Sequence, residues 1–335
     1  MSGKLSVIIP THNPRPAYLQ RVLEALKAQS LPKTEWELVL VDNASKEPVA
    51  ERWDLSWHPN GRHIRENELG ATQARMRGIR EANGEWLLFV DDDNVLDTDY
   101  LREAVKAGNT HAFLGVIGGR IDPEFEEEPA EWTRQFWSYL ALRPVEHSFW
   151  SNLRTDYTSF PVGAGFCLRR CVVEAYLRRT ETGGESLKLG RRGTKLTSCE
   201  DTDMVLTACD LGYGYGTFVK MRMVHIMPKW RMTEEYLLRL LEGSTYSCSM
   251  MEADRYGMMP PATFKPWWRQ KLGKLRRRLM MKRLDRLMLE ARMRGWEAAR
   301  DELIQMDGAN GIRLMTASPM RPWRQPVATA KDENQ

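Results

Sequence analysis

Cysteine is scarce in this 335-residue chain: there are five, at positions 167, 171, 199, 209 and 248, odd in number and without a CxxC pair. That excludes a disulfide framework or a zinc ribbon as the organising device and fits a reducing, cytoplasmic setting. Long hydrophobic runs are also missing, and no apolar stretch approaches the roughly 20 residues that cross a bilayer. The amino terminus, MSGKLSVIIP, enters a short apolar run at once with no extended h-region, so no export signal is expected. No glycine-rich phosphate loop follows that run, which continues IIPTHNPRP. This argues against a nucleotidyltransferase. There is no internal repeat.

What is present is ordinary for a globular protein, 42% hydrophobic and 28% charged residues. The net charge of +4 is unevenly spread: residues 1–264 carry 32 basic and 37 acidic side chains, and residues 265–335 carry 17 and 8. The basic character belongs to the tail, so nucleic acid is not an expected partner of the remainder.

The first 120 residues alternate strand and helix signals. LSVIIP (5–10), ELVLVDNAS (37–45) and WLLFV (86–90) read as strands, and 17–31 and 70–83 read as helices. Strands alternating with helices imply right-handed crossovers and a mostly parallel, Rossmann-like sheet flanked by helices. Ligands of such sheets bind beyond the carboxyl ends of the strands. Pro10 and Thr11, Asp42 and Asn43, and the run at 91–94 all stand there, so three distant polar clusters are expected on one rim. Shorter strand signals at 116–121, 160–169 and 216–227 suggest a mixed-sheet second half. The glycine- and lysine-rich stretch 182–198 reads as a mobile loop, 267–305 as a basic helical stretch, and the end as unstructured. The expected partition is a catalytic domain over 1–245, divided at 120 into the two halves of a cleft. A basic helical extension over 246–310 and a flexible tail over 311–335 complete it.

The most pointed feature is LLFVDDDN (87–94), an apolar run ending in three like charges. Carboxylate oxygens suit Mg²⁺ or Mn²⁺, which keep positions open for substrate phosphates and would remove the repulsion. A solvated acidic turn ahead of a helix is the competing reading.

LSVIIPTHN, LVLVDNAS, GATQARMRGI, GEWLLFVDDDN and the later SCEDTDMVL stand in the order, and roughly the separations, of family 2 glycosyltransferases of the GT-A fold, which the chain resembles over about residues 4–242. The resemblance implies a metal-dependent, inverting transferase that moves a sugar from a nucleoside diphosphate, UDP first among the candidates, to a hydroxyl of a glycan or lipid-linked acceptor. It places Pro10, Thr11, Asn13, Asp42, Arg75, Asp91 and Asp92 on the nucleotide sugar, with Asp42 receiving a uracil N–H. Asp93, Asp91 and His225 become the metal ligands. Asp92 stands where the family writes a small residue, and no role follows for it. Asp201 becomes the general base with Glu200 its orienting neighbour, although acidic residues also favour a helix start. Gly163 and Gly165 are placed by the acceptor, and Lys229 and Arg231 by the diphosphate. Trp132, Trp137, Trp150 and Trp230 are candidates to stack on sugars, with core packing as the alternative. The basic helix reads either as a peripheral contact with the inner membrane face or as a helix packed on its own domain or a second subunit. A non-catalytic module binding nucleotides or glycans is the rival outside enzymology.

Overall fold

The structure, a computed structural model, describes residues 5–182, 196–260 and 280–310. Its centre is a sheet whose strands follow the apolar runs. Leu5–Thr11 (β1) and Trp36–Asn43 (β2) are almost entirely shielded from solvent, as strands covered on both faces must be. Trp86–Phe89 (β4) is buried at every position. Gly61–Glu66 (β3), half-exposed at the sheet edge, is a strand the sequence did not predict: GRHIRE holds one aliphatic residue, and only pairing with β2 makes it extended. Asn94–Leu96 (β5), Leu114–Phe125 (β6), Phe149–Ser151 (β7), Cys167–Arg169 (β8) and Gly214–Met227 (β9) complete a sheet of order β3-β2-β1-β4-β8-β6-β9-β5, with β7 also on β9. The first four strands are mutually parallel, and β8 enters antiparallel between β4 and β6. The expected parallel half and mixed half are therefore both present.

Helices cover the two faces. Pro16–Lys27 (α1) buries Leu19, Val22, Leu23 and Leu26, one stripe at helical spacing behind a proline in its first turn, and stops four residues short of the predicted end. Ala71–Glu81 (α2) lies close against β1 because Gly78 faces it, where a Cβ would stand 2.4 Å from Ile8 Cγ2. Tyr100–Thr110 (α3), Arg170–Thr182 (α4) and Glu200–Asp210 (α5) follow. Glu234–Tyr256 (α6) runs unbroken through residue 245, so the expected boundary at 245/246 falls inside a helix; the chain turns only at Gly257, at φ 63°. Arg283–Asn310 (α7) packs along α6, with Met288 and Ala291 beside Leu237 and Leu241, and Ala299 and Leu303 beside Met250 and Met251. The described part of the basic extension therefore lies on its own domain. Residues 267–279 of the predicted helix and 183–195 of the predicted loop lie outside the described residues. Among the described residues no helix is long and apolar enough to cross a membrane.

A buried polar knot ties the strand starts together. Glu37 accepts from the Ser6 hydroxyl at 2.6 Å, the Asn83 N–H at 2.5 Å and Arg62 at 2.7 Å, and the Gly84 N–H donates to Ser6 at 2.7 Å. Burial alone would raise this carboxyl, but the hydrogen bonds from Ser6, Asn83 and Arg62 outweigh it and hold it at about 2. A carboxylate depressed in the fold stabilises above its unfolded pKa and loses that contribution as pH falls through the folded value. Glu37→Gln should therefore cost roughly 3 kcal/mol at pH 7 and flatten the stability decline between about pH 5 and pH 2, read by urea unfolding across that range.

Candidate active site

The 91–94 turn after β4 is shaped by Asn94, which is fully buried. Its side chain accepts the Asp91 N–H at 3.2 Å and donates to Asp93 Oδ1 at 3.1 Å, while its backbone N–H donates to the Asp91 carbonyl at 3.1 Å. The three carboxylates are then directed to different partners. Asp92 accepts from the Thr11 hydroxyl, joining the ends of β4 and β1. Burial, then the negative charge of Asp93, raises the Asp92 carboxyl to about 7 despite that hydrogen bond. Asp93 Oδ2 accepts from Arg231 at 3.1 Å and its Oδ1 lies 3.3 Å from His225 Nε2. Asp91 faces Arg75 at 3.4 Å. The repulsion posed by the sequence is thus relieved partly by dispersal and partly by two arginines.

Sheet register brings His225 here. Asn94 pairs with His225 across β5 and β9, and the Ile226 N–H donates to the Asp93 carbonyl at 2.9 Å. Arg231 arrives on a 3₁₀ turn, Lys229–Met232, just past β9. Burial would depress its pKa, but Asp93 and the other nearby acidic groups raise it on balance.

The second cluster comes from the start of α5, where Cys199 holds a left-handed φ of 73°. Asp201 Oδ2 accepts the Gly163 N–H and its Oδ1 the Thr202 N–H, both at 2.8 Å. A Cβ on Gly163 would stand 3.2 Å from Asp201 Cβ, so the glycine permits this close approach. Glu200, buried and with its carboxyl raised chiefly by desolvation, accepts from the Thr72 hydroxyl at 2.9 Å and lies 3.7 Å from Arg75. Arg75 therefore spans the two clusters, with Asp91 on one side and Glu200 on the other. Burial opposes its charge, and Glu200, Asp91 and Asp201 together raise its pKa. The seating of α2 through Gly78, less than one turn further along, puts Arg75 within reach of both.

Between these clusters and the strand ends opens a cleft of about 280 Å³ lined by Pro10, Thr11, His12, Asn43, Leu69, Gly70, Ala71, Ala74, Arg75 and Asp91. Asn43 shapes it by accepting the Gly70 N–H at 2.8 Å and donating to the Glu68 carbonyl at 2.7 Å. Asn13, at φ 47°, closes the loop beside it: its N–H donates to Ser45 and its Oδ1 accepts the Lys46 N–H, both at 2.9 Å. Sequence reasoning overlooked Leu69 and Thr72, and it placed Asn43 and Asn94 on the rim without giving either a role. For Asn94 the signal was available, since an asparagine closing a turn after a strand is common turn chemistry.

Several expected residues sit differently. Asp42 is not on the lining; its carboxylate accepts the Ser45 N–H at 3.0 Å, the Val49 N–H at 3.1 Å and Arg65, and a hydrogen bond from the Ser45 hydroxyl also lowers its pKa. Those contacts occupy its four acceptor positions, so a nucleobase N–H must displace one, and the half-exposed Arg65 is the replaceable partner. Gly165 is corrected outright: it is interior, at φ 68°, where a Cβ would meet Met223 Sδ at 2.5 Å and the Tyr100 hydroxyl at 2.7 Å, so its backbone offers no face to a sugar. Trp132 and Trp137 pack in the cluster around Phe136, and Trp150 lies on β7, at the opposite end of β9 from His225. Only Trp230 of the four is exposed beside the Asp93 cluster.

Among the described residues no three His, Cys, Asp or Glu side chains converge as a metal cage. Asp91 and Asp93 nevertheless supply hard oxygen donors in the turn after β4. That fits Mg²⁺ or Mn²⁺ held by one or two carboxylates and completed by substrate oxygens.

A model of glycosyl transferase family 2 matches residues 6–177. The chain belongs to this family. Its fold is of the GT-A type: the Staphylococcus aureus TarS 1-349 structure in complex with UDP-GlcNAc superposes with a TM-score of 0.50 over 92% of both chains, at 16% identity. In sequence, the family 2 member is 32% identical over 111 residues to the poly(ribitol-phosphate) beta-N-acetylglucosaminyltransferase TarS of S. aureus, a match spanning 32% of this chain and 19% of TarS. It is 38% identical over 90 residues to an uncharacterized glycosyltransferase of Haemophilus influenzae, spanning 27% of this chain and 29% of that one. The family 2 chain thus matches under a third of the length of each of these two relatives.

Proposed function

We propose that this family 2 member transfers a sugar from a nucleoside diphosphate donor to a hydroxyl of a glycan or lipid-linked acceptor, with inversion at the anomeric carbon. The observation that carries the reading is the position of Arg75 between Asp91 and Glu200, which makes the strand-end carboxylates and the α5 carboxylates parts of one site. In this reading the nucleotide lies in the cleft along Pro10, Thr11 and Arg75, and Arg75 and Arg231 offset the charge of the diphosphate. Asp201, fixed by the Gly163 N–H, takes the acceptor's proton as its oxygen attacks the anomeric carbon and the nucleoside diphosphate departs from the opposite face. A carboxylate is a weak base toward an alcohol, so proton transfer accompanies attack. Asp91 and Asp93 would hold Mn²⁺ or Mg²⁺, which when bound supplies charge neutralisation to the leaving diphosphate. Glu200 keeps Arg75 and Thr72 in place beside the base.

UDP heads the donor panel, with UDP-N-acetylglucosamine the first sugar nucleotide, because that ligand occupies the TarS structure of the same fold. Calorimetric titration of UDP should show binding about 10-fold tighter or more with Mn²⁺ than without it, and Asp93→Asn should remove that difference. Equal affinities with and without the ion would end the metal-assisted scheme.

A further inference from the structure

Glu126 stands one residue past β6, outside both clusters, yet its carboxylate joins three segments around them. Its Oε1 accepts from Arg15 at 2.8 Å and from the Tyr18 hydroxyl, and its Oε2 accepts the backbone N–H of Lys229 at 3.0 Å. Its own N–H donates to the Met227 carbonyl at 3.0 Å. Arg15 caps α1 at the end of the loop that follows Thr11. Lys229 opens the turn that carries Arg231, whose guanidinium meets Asp93. One side chain thus links the nucleotide-side loop to the turn whose arginine faces the acidic run.

The Lys229 N–H belongs to the first residue of a short 3₁₀ turn and has no acceptor within that turn, so the carboxylate supplies the missing partner. Arg15 and Tyr18 hold the other oxygen, which fixes the direction in which the carboxylate presents itself. Half-exposed ion pairs contribute little to stability. What this contact fixes is the position of the turn, and Arg231 is its best-placed beneficiary.

We propose that Glu126 is a positioning residue: by accepting the Lys229 N–H while gripped by Arg15 and Tyr18, it seats Arg231 against Asp93 and sets affinity for the diphosphate of the donor without touching it. This rests on the reading of Arg231 as a diphosphate contact, and the test separates the two. UDP and uridine are titrated with Mn²⁺ into wild type, Glu126→Ala, Arg231→Ala and the double variant. Arg231→Ala should weaken UDP by about 10-fold and Glu126→Ala by about 5-fold, with the double variant no weaker than Arg231→Ala alone. Uridine, which lacks the diphosphate, should bind all four alike, a selectivity that general loss of structure does not produce. Glu126→Gln, whose amide oxygen can still accept the Lys229 N–H, should return UDP affinity to within about 2-fold of wild type.

Additive losses in the double variant, or equal weakening of uridine, would overturn the role of Glu126 while leaving Arg231 in the site. An Arg231→Ala protein that binds UDP unchanged would instead remove the arginine from the diphosphate, and this inference with it.

Discussion

Asp201→Asn should lower kcat by about 10³-fold or more, while UDP affinity measured by calorimetry stays within about 3-fold of wild type. The split follows from where the carboxylate is held. Its oxygens accept the Gly163 and Thr202 N–H groups, and Asp201 is not among the residues that line the cleft with Pro10 and Thr11. An asparagine keeps the shape of the side chain but cannot take a proton from an attacking hydroxyl, and it replaces one acceptor atom with a donor. Loss of UDP binding together with turnover would place Asp201 in donor binding and contradict its assignment as base. Product analysis by thin-layer chromatography with a labelled sugar nucleotide gives the rate, and hydrolysis without an acceptor serves as a second readout.

The largest stability effect is expected at Arg255. Its Nε meets Asp203, Nη1 reaches Asp210 at 2.7 Å, and Nη2 donates to the Asp203 carbonyl at 2.6 Å and the Thr207 hydroxyl at 2.8 Å. Both members of the central pair are nearly inaccessible, with side-chain exposures of 5% for Arg255 and 1% for Asp203. Arg179 approaches the same carboxylate from α4. Removing one partner of such a pair leaves a buried charge with less compensation, so Arg255→Ala should cost about 3–5 kcal/mol, read as a lowered urea midpoint with little change in slope. Asp203 stands two residues beyond Asp201 on α5, so residual activity of this variant should fall as well. Replacing the arginine by methionine should recover packing but not charge balance, and should remain destabilised. Wild-type stability in Arg255→Ala would show that the network carries no net energy.

The strands β1, β2 and β4 were legible because each is an unbroken apolar run closed by turn chemistry, and α1 and α2 because their buried positions recur at helical spacing. β3 was not, since GRHIRE carries no period that distinguishes a strand from a loop; its extended form comes from pairing with β2. The continuity of α6 was missed for a related reason. Gly243, Ser244 and Thr245 are weak helix formers at the expected boundary, yet the helix runs through them, with Gly243 packed so closely on the Leu196 carbonyl that a Cβ would stand 2.3 Å from it.

At the site, the acidic run, Arg75 and the pair at 200 and 201 could be picked out by residue type alone. What each carboxylate does could not. Asp91, Asp92 and Asp93 are chemically identical, and their division among Arg75, Thr11 and the Arg231 and His225 pair depends on the direction in which a turn, shaped by the buried Asn94, points each one. Likewise Asp42 satisfies the residue-type requirement for a base contact, yet folding uses its oxygens to cap the loop at 45–49.

By itself the sequence determined the alternating strand and helix order, the carboxyl-end location of the polar residues and the family to which the chain belongs, because these depend on hydrophobic period and on short motifs in a fixed order. Only the tertiary structure decided that Arg75 joins Asp91 to Glu200, that Gly165 is a packing residue and that Glu126 reaches Lys229. Those facts depend on contacts between residues as much as 125 positions apart, as between Arg75 and Glu200, and no local pattern encodes the register and close approach that create them.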